Sequence, residues 1–402
     1  MTKTVVIVGA LDTKGEEFAF VKSIIEDAGV ATFVVDFGVI GDPTFTPDVS
    51  RDEVAQAGGG DLAELTSGDH KDEAMKTMAS GLAAVVRKLY DDGKLDGIIG
   101  MGGSGGTSIA TTAMRTLPVG VPKVMVSTVA GGDVSAYAGT KDITFMPSVV
   151  DVAGLNSISR RIYANAAGAI AGMVQVDLPE AEVKPLITAS MFGNTTTAVD
   201  HARGIMEEQG YEVLVFHSVG TGGRTMESLI LDGYIEGALD ITTTELADEV
   251  CGGVFSAGPD RVKGAPQAGV PVVIVPGCVD MANFGGIETV PEKYKGRNLY
   301  EWNPNVTLLR TNVEENRQIG EMIAAAANEA TAPVTVLIPL KGVSMLDSEG
   351  GRFWDPEANQ ACFDAIKSNL RDDIPVIEVD ANINDPEFSG KVAQALLGML
   401  NQ

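Results

Sequence analysis

The chain has 402 residues, and 45% of them are hydrophobic. Because single hydrophobic cores stop growing at about 250 to 300 residues, a chain of this length is expected to form more than one domain. Its formal net charge of −26 argues against nucleic acid and anionic membrane surfaces as partners, since both would repel it. The three cysteines are far apart and lack CxxC spacing, which argues against a disulfide framework or a thiolate metal site and favours a reducing cytoplasm.

Signals for export, membrane insertion and metal binding are missing from the sequence. The first residues, MTKTVVIVGALDTKG, enter a strand-like run without the pattern of a signal peptide, and no later segment holds about 18 uninterrupted apolar residues. His70, His201 and His217 share no metal-ligand spacing, so no metal site is predicted. We therefore expect a cytoplasmic protein.

Apolar runs alternate with segments of helical period along the first 180 residues. Helices are predicted at 16–28, from Ser108 onward and at 151–176. Strands are predicted at TVVIVG (4–9), TFVVDF (32–37), LDGIIGM (95–101) and KVMVS (123–127). Continuous apolar strands between helices are typical of a parallel sheet covered on both faces. The fold class is therefore α/β, with a doubly wound, Rossmann-like lobe over residues 1–180.

The same pattern begins again after LPEAEVKP (178–185), which contains two prolines and two acids. A shift of 181 residues sets TVVIVGALDT over PLITASMFGN, and GVPKVMVSTVAGGD (120–133) similarly matches GVPVVIVPGCVD (269–280). Repeats of this size indicate two similar lobes, although any two α/β domains share such periodicity. We predict a second Rossmann-like lobe over 185–402, also with a mainly parallel sheet, and a small-molecule site in an interlobe cleft.

A glycine-dense segment, GMGGSGGTS (100–108), leaves the third predicted strand and enters a helix. Ligands of parallel sheets bind beyond the carboxyl ends of the strands, and bare backbone N–H groups at a helix start suit a phosphate. The segment is not a Walker A motif because no GK[ST] ends it, and a tight turn without a ligand is the alternative. The candidate phosphate-binding residues are Gly102, Gly103, Ser104, Gly105, Gly106 and Thr107.

Two further loops of the first lobe carry charged candidates at strand ends. In GALDTKGEE (9–17), Lys14 can meet a phosphate and Asp12 can hold Mg²⁺ or a ribose hydroxyl, unless Asp12 or Thr13 only caps the helix. Asp36 stands where a ribose-binding acid follows the second strand of a dinucleotide fold, with strand-end capping as the alternative.

The second lobe has polar residues at the corresponding places. His217 occupies the position equivalent to Asp36 and is a candidate acid or base, and Arg224 opens a helix after two glycines. Each of these residues has a structural role as its alternative. The candidates for catalysis are His217, Arg224, Glu245, Arg261 and Asp280.

Ten motifs follow one another over nearly the whole chain: GALDTKGEE, VVDFG, GMGGSGGTS, STVAGGD, GGRTME, DITTTELADE, SAGPDR, PGCVDM, LLRT and INDPEF. In them the chain resembles an uncharacterised family of bacterial and plant proteins related to the tomato mosaic virus resistance protein, which is described as having an ATP-binding amino-terminal domain. The resemblance implies that the first lobe binds ATP through Thr13, Lys14, Asp36, the run 102–107 and the STVAGGD loop. In that loop the implied contacts are Ser127, Thr128, Gly131, Gly132 and Asp133.

Three functions fit these observations. The first is an ATP-dependent ligase or phosphotransferase that acts on a small acidic metabolite, with Mg²⁺ as a companion of ATP and a homo-oligomer as the expected assembly. The second is a nucleotide-sensing module without turnover, whose conformation a partner protein reads. The third is an NAD-dependent dehydrogenase-like enzyme, because DGIIGMGGSGG followed by PKVMVSTVAGGDVS is similar to loops of iron-dependent alcohol dehydrogenases.

Overall fold

The computed structural model describes residues 2–66, 71–177 and 183–401. The chain forms two compact units, Met1–Glu180 and Ala181–Gln402, which are called lobe 1 and lobe 2 below. His70 and residues 178–182 of the segment LPEAEVKP lie outside the described residues.

Lobe 1 is a five-stranded parallel sheet with helices on both faces. The strands are β1 (Thr4–Gly9), β2 (Ala31–Asp36), β3 (Gly97–Gly102), β4 (Lys123–Ser127) and β5 (Thr144–Pro147), in the order β2-β1-β3-β4-β5. The helices are α1 (Leu11–Asp27), α2 (Arg51–Ala57), α3 (Leu62–Thr66), α4 (Lys71–Asp91), α5 (Ser104–Met114), α6 (Ser135–Ala138) and α7 (Ser159–Val174).

Two hydrophobic clusters cover the two faces of this sheet. Val5 and Ile7 of β1 pack with α1 and α7, whereas Val6 and Val8 pack with α2, α4 and α5. The alternation along one strand explains why the strand is apolar throughout, since both of its faces are buried.

Lobe 2 contains a six-stranded parallel sheet and a small antiparallel sheet. The six strands are β6 (Leu186–Met191), β7 (Glu212–His217), β8 (Ile235–Thr242), β9 (Val272–Gly277), β13 (Val334–Pro339) and β14 (Val376–Val379), in the order β14-β13-β9-β8-β6-β7. The small sheet has β10 (Met281–Phe284), β11 (Leu299–Asn303) and β12 (Val306–Arg310), in the order β10-β12-β11.

The helices of lobe 2 also pack on both faces of its parallel sheet. They are α8 (Thr196–Glu208), α9 (Thr221–Leu231), α10 (Thr244–Cys251), α11 (Gly264–Ala268), α12 (Val313–Asn328), α13 (Pro356–Asn369) and α14 (Pro386–Leu400). One hydrophobic cluster includes α8 and α14, and another includes α9 to α13.

The two lobes share one strand topology, because in each the first strand lies between the second and the third, and the fourth follows the third. The predicted α/β fold class, with two Rossmann-like lobes and mainly parallel sheets, is therefore confirmed. In both lobes the chain changes direction across the sheet beside its first strand, which is the position where open α/β sheets bind ligands. The switch point lies between β1 and β3 in lobe 1 and between β6 and β8 in lobe 2.

The helix starts differ from the sequence prediction. α1 begins at Leu11 rather than Glu16, and α5 begins at Ser104 rather than Ser108. Gly105 and Gly106 therefore lie in the first turn of α5, whereas Gly103 is its N-cap and Gly102 is the last residue of β3. A Cβ on Gly102 would lie 3.2 Å from the Cα of Gly106, so glycine at these positions lets the helix start pack directly on the end of β3.

Candidate functional site

A cleft of about 190 Å³ opens at the switch point of lobe 1. Its walls come from the segments that follow β1, β2 and β3, together with one side chain of α4. The residues that line it are Ala10, Asp12, Thr13, Lys14, Phe37, Gly38, Val39, Ile40, Met75, Met101, Gly102, Gly105, Gly106 and Ile109. Six of these, Asp12, Thr13, Lys14, Gly102, Gly105 and Gly106, are among the residues that the sequence predicted.

The amino-terminal turn of α5 forms one wall of this cleft. No side chain caps the helix, and in the described part of the chain the backbone N–H groups of Ser104, Gly105 and Gly106 have no hydrogen-bond acceptor. These N–H groups carry the positive end of the helix dipole, and two of the three residues, Gly105 and Gly106, line the cleft, so this wall suits an anion. Thr107 differs, because its Oγ1 donates to the oxygen of Gly103 and lies 2.6 Å from Oγ of Ser127, where both side chains are buried.

Lys14, which also lines the cleft, supplies a positive charge. The residue leaves helical geometry, at φ −136° and ψ 23°, and its Nζ donates to the oxygen of Val152 at 2.5 Å. The side chain is only half-buried, so the ammonium group has hydrogen atoms left for a ligand. Lys14 thus links the cleft to the segment that follows β5.

Two aspartates, Asp12 and Asp36, hold the segments around the cleft in place through hydrogen bonds to backbone N–H groups. Oδ2 of Asp12 accepts hydrogen bonds from the backbone N–H groups of Ile40 and Gly41, and its Oδ1 is buried without a partner. Asp36 is fully buried, and its Oδ1 accepts from the N–H groups of Leu11 and Gly38. Burial raises the pKa of Asp36, against those two hydrogen bonds. Asp36 therefore ties β2 to the start of α1 and does not line the cleft.

A second cavity of lobe 1, of about 420 Å³, lies at the ends of β4 and β5 and is called the strand-end cavity. It is lined by Thr128, Gly131 and the segment Pro147–Asp151. Within that segment Val149 has φ 63° and is 78% exposed, which is strained backbone for a β-branched residue. Two neighbouring contacts join this cavity to the cleft: the N–H of Thr128 donates to the oxygen of Gly102, and Lys14 donates to Val152.

The remaining candidates of the STVAGGD loop lie away from both cavities. Gly132 and Asp133 are exposed, and Oδ1 of Asp133 accepts from the N–H of Ser135, which holds the pKa of that carboxyl below its usual range. Gly103 and Ser104 stand at the start of α5 without lining the cleft. The sequence prediction missed the apolar part of the cleft, which consists of Phe37, Val39, Ile40, Met75, Met101 and Ile109.

Two catalytic candidates of lobe 2, Glu245 and Arg261, belong to a buried ion cluster. The Arg261 guanidinium is completely buried; its Nε lies 2.5 Å from Glu245, and its two terminal nitrogens lie 2.5 and 2.7 Å from the oxygens of Asp240. Glu227 completes the cluster at 3.0 Å, and burial raises its pKa against the attraction of Arg261. Glu245 also accepts from the N–H groups of Gly220 and Gly223. This geometry joins α9, β8 and α10, and the side chains of the two candidates, Glu245 and Arg261, are completely buried in it.

The other candidates of lobe 2 are dispersed. Arg224 is exposed and donates to the oxygen of Ser256, whereas Asp280 is fully buried and accepts from Oγ of Ser344. His217 lines a cavity. The structure thus does not bring the five catalytic candidates together at one site.

The cavity beside His217 has a volume of about 220 Å³ and is called the aromatic cavity. It lies where β6 and β7 end, and β11 and β12 form its outer wall. The ring of Phe192 contacts those of His217 and Phe255 edge-on, at centroid distances of 6.2 and 6.3 Å. The cavity is lined by Phe192, Gly193, Asn194, His217, Val219, Phe255, Trp302, Asn303, Val306 and Leu308.

Both lobes match models of a single protein family. The match covers residues 3–179 for the N-terminal domain of the uncharacterised protein family UPF0261 and residues 184–400 for its C-terminal domain. The chain belongs to the UPF0261 family. The resemblance to an uncharacterised bacterial and plant family is therefore confirmed.

Relatives of this UPF0261 protein occur in bacteria and in tomato. It is 50% identical to a UPF0261 protein of Clostridium tetani, and the match covers 100% of both chains. It is also 36% identical to the ToMV resistance protein Tm-1(GCR237) of Solanum lycopersicum, where the match covers 97% of this chain and 55% of that protein.

Among solved structures, the UPF0261 chain is similar to UDP-N-acetylglucosamine 2-epimerase from Rickettsia bellii, at 10% identity and a TM-score of 0.24. That match covers 100% of this chain and 98% of the other. A likeness this distant carries no argument about ligand or activity.

Neither a membrane-spanning helix nor a preformed metal cluster occurs in the described part of the UPF0261 chain. No helix among residues 2–66, 71–177 and 183–401 has the length and hydropathy needed to cross a bilayer. The same residues contain no group of three or more His, Cys, Asp and Glu side chains placed to hold a metal ion.

Burial of two aspartates makes the stability of lobe 2 sensitive to pH. Burial raises the pKa of Asp248 from 3.8 to about 7, against hydrogen bonds from Asn283 and Phe255. Burial likewise raises the pKa of Asp280 to about 7, and the neighbouring Asp347 carboxylate adds to the effect. Each group therefore binds its proton more tightly in the folded state than in the unfolded chain.

We expect the unfolding free energy of lobe 2 to fall as the pH rises from about 4 to about 7. The contribution of Asp248 is fully present below its ordinary pKa of 3.8 and is lost as the pH passes its folded pKa of about 7. Since one pKa unit corresponds to about 1.4 kcal/mol, this one residue accounts for on the order of 4 kcal/mol. Urea denaturation at about pH 4 and about pH 8, followed by tryptophan fluorescence, measures the loss.

The matched variant is Asp248→Asn, which carries no titrating proton. Its amide can donate to Oδ1 of Asn283, which is buried without a partner, once the Asn283 amide rotates. The variant should lose less stability than the parent between the two pH values. An identical loss in both proteins would contradict the assignment.

Proposed function

We propose that this protein binds ATP through lobe 1. The observation that carries the proposal is the cleft at the β1/β3 switch point, where an apolar slot meets unpaired backbone N–H groups and the Lys14 ammonium. An adenine ring needs apolar walls, and phosphates need N–H donors and positive charge. The family membership, which includes the ToMV resistance protein as a relative, is consistent with the ATP-binding domain that the motifs imply.

The proposed orientation follows from the sizes of the cavities. A cavity of about 150 Å³ can hold benzene, so the cleft of about 190 Å³ accommodates a ring system rather than a whole nucleotide. We place the adenine between Ile40 and Ile109, and the phosphates over the first turn of α5. From there the strand-end cavity, at about 420 Å³, continues past Lys14 and Thr128 and takes the terminal phosphates.

Mg²⁺ fits this arrangement as a companion of the phosphates. It keeps several waters and needs only one or two carboxylates besides phosphate oxygens. Oδ1 of Asp12 is a buried carboxylate oxygen without a partner at the wall of the cleft. Asp12 would hold the ion directly or through water, and the ion would neutralise phosphate charge.

NAD is less well suited to lobe 1. A dinucleotide fold binds the ribose through an acid at the end of its second strand. Here that acid is Asp36, which is fully buried and, unlike Asp12, does not line the cleft: its Oδ1 accepts from two backbone N–H groups, and its Oδ2 has no partner but is buried as well. The ribose hydroxyls would therefore find no exposed acceptor at this position.

Isothermal titration of the purified protein tests the proposal. We expect ATP with Mg²⁺ to bind at least about tenfold more tightly than AMP, because the α5 wall binds phosphate, and more tightly than NAD. Tighter binding of NAD, or equal binding of ATP and AMP, would overturn it. Chromatography of ADP, AMP and pyrophosphate in the same samples, with a panel of small acids added, separates a ligase or phosphotransferase from a nucleotide sensor.

A further inference from the structure

We infer that lobe 2 has a second small-molecule site, the aromatic cavity, and that it binds an uncharged planar nitrogen heterocycle carrying an N–H donor. The cavity lies where the first two strands of the lobe 2 sheet end; the lobe 1 cleft is also lined by residues that follow its first two strands, and it extends further to the third. His217 pairs with Met191 in the sheet as Asp36 pairs with Gly9, which makes the two positions equivalent. The inference concerns a separate ligand and does not depend on ATP binding.

The walls select a flat ring. Phe192, Phe255, His217 and Trp302 surround the cavity, and aromatic rings bind other rings through stacked or edge-on contacts. The Trp302 side chain is 43% exposed, so a large part of its apolar ring is in contact with water. A ligand can therefore reach this ring from the solvent. The volume of about 220 Å³ accommodates one ring or two fused rings, by comparison with the roughly 150 Å³ that holds benzene.

Asn194 gives the cavity its polar specificity. The residue is only 3% exposed, and its Nδ2 donates to Sδ of Met281 at 3.4 Å. Its Oδ1 is buried and has no hydrogen-bond partner, although buried polar atoms in proteins are nearly always paired. The backbone oxygen of Asn194 accepts from Nδ2 of Asn384 and from the N–H of Met345, so the residue is held in place. An N–H group of a ligand would satisfy this oxygen.

The charge of the lining excludes an ionic ligand. No lysine, arginine, aspartate or glutamate lines the aromatic cavity. Arg261 does not line this cavity either, and its guanidinium is completely buried among three carboxylates. Burial of a charged ring against these apolar walls would be unfavourable without an opposite charge. A neutral heterocycle with an N–H or NH₂ group, such as a nucleobase or a benzimidazole, meets all three requirements.

Fluorescence of Trp302 tests the inference directly. The chain has two tryptophans, so Trp354→Phe leaves Trp302 as the single reporter in the wall of the cavity. The probes are benzimidazole, which has an N–H, and 1-methylbenzimidazole, which does not. We expect benzimidazole to change the Trp302 emission in a saturable way. We expect the methylated probe to bind about 3- to 10-fold more weakly, the usual effect of one hydrogen bond.

Two variants separate the roles of the walls and of Asn194. Asn194→Leu should bind both probes equally, whereas Phe255→Ala should weaken both about equally and preserve their ratio. Val254→Ala is the matched control, because this neighbour is 60% exposed and does not line the cavity. Gly105→Val, which narrows the lobe 1 cleft, should leave the Trp302 signal unchanged.

The inference is overturned if neither probe changes the Trp302 emission at millimolar concentration. It is also overturned if both probes bind the parent equally, which would mean that water already satisfies Oδ1 of Asn194. Because the second criterion uses the parent protein, it holds even if Asn194→Leu fails to fold. None of these outcomes depends on whether ATP binds lobe 1.

Discussion

Replacement of Arg261 by methionine is expected to unfold lobe 2 or to lower its unfolding free energy by at least about 3 to 5 kcal/mol. The substitution would leave Glu227, Asp240 and Glu245 buried together without their cation. Removal of one partner of a buried ion pair is costly because the remaining charge stays desolvated. Here one guanidinium contacts three carboxylates, all of which would lose their cation, so the loss should lie at or above the upper end of that range.

Urea denaturation followed by tryptophan fluorescence measures this loss in lobe 2 specifically, because both tryptophans, Trp302 and Trp354, lie there. The matched control is Arg224→Met, since Arg224 is exposed and makes a single hydrogen bond to a backbone oxygen at 3.3 Å. It should change the unfolding free energy by less than about 0.5 kcal/mol. When Asp240→Asn and Glu245→Gln are added to the Arg261→Met variant, two of the unpaired carboxylates become neutral amides. The triple variant should therefore recover part of the unfolding free energy lost in Arg261→Met. If Arg261→Met lowers the unfolding free energy by less than about 1 kcal/mol, the prediction that lobe 2 depends on this ion cluster is wrong.

The Arg261 cluster also shows where sequence reasoning fails. Asp240 and Glu245 lie at the carboxyl end of β8, and the Arg261 side chain reaches the same place from the segment between α10 and α11. Both substrate-binding groups and internal ion pairs occur at such strand ends. Arg261 meets partners 16, 21 and 34 residues away, and no local spacing encodes these contacts. Sequence can place the charges at the correct edge of the sheet, but only packing decides whether they face a ligand or one another.

The parallel sheets were predictable for a simple physical reason. A strand covered on both faces must be apolar throughout, so runs such as TVVIVG and GVPVVIV stand out in the sequence. The antiparallel sheet of β10, β11 and β12 gave a weaker signal. β10 is four buried residues, Met281–Phe284, directly after a strand end, and β11 carries exposed polar residues such as Glu301 and Asn303. Neither has the apolar run by which the other strands were found.

The two cavities were predicted to different extents. The glycines and Lys14 of the lobe 1 cleft have a recognisable pattern because backbone exposure requires particular residue types. The apolar part of the cleft has no recognisable sequence pattern, because Val39, Met75 and Ile109 come from three separate segments and resemble ordinary core residues. In the aromatic cavity only His217 was predicted. Phe192, Asn194 and Phe255 follow strand ends or a helix, and the rarity of aromatic residues, 5% of the chain, was the available signal.

Substitution of Gly105 by valine is expected to weaken ATP binding at least about tenfold, or about 1.4 kcal/mol, without a loss of stability. A Cβ on Gly105 would lie 3.4 Å from Cε of Met75, which is ordinary contact, and both residues line the cleft. The added side chain therefore points across a space of about 190 Å³ and takes volume from the ligand. Isothermal titration with ATP measures the change, and thermal unfolding checks the fold.

A second glycine, in another helix of lobe 1, provides a control for the effect that any glycine-to-valine change has on a helix. Gly168→Val in α7 introduces the same side chain, and no atom lies within 4 Å of its Cβ. It should bind ATP as the parent does.

Lys14→Ala provides an independent test, because loss of its point charge should weaken ATP binding about tenfold at low salt and less as salt screens the interaction. Its control is Lys22→Ala, on the same helix and paired with Glu26. If Gly105→Val and Lys14→Ala both bind ATP like their controls, the nucleotide does not occupy the β1/β3 switch point, because a ligand there must contact both walls.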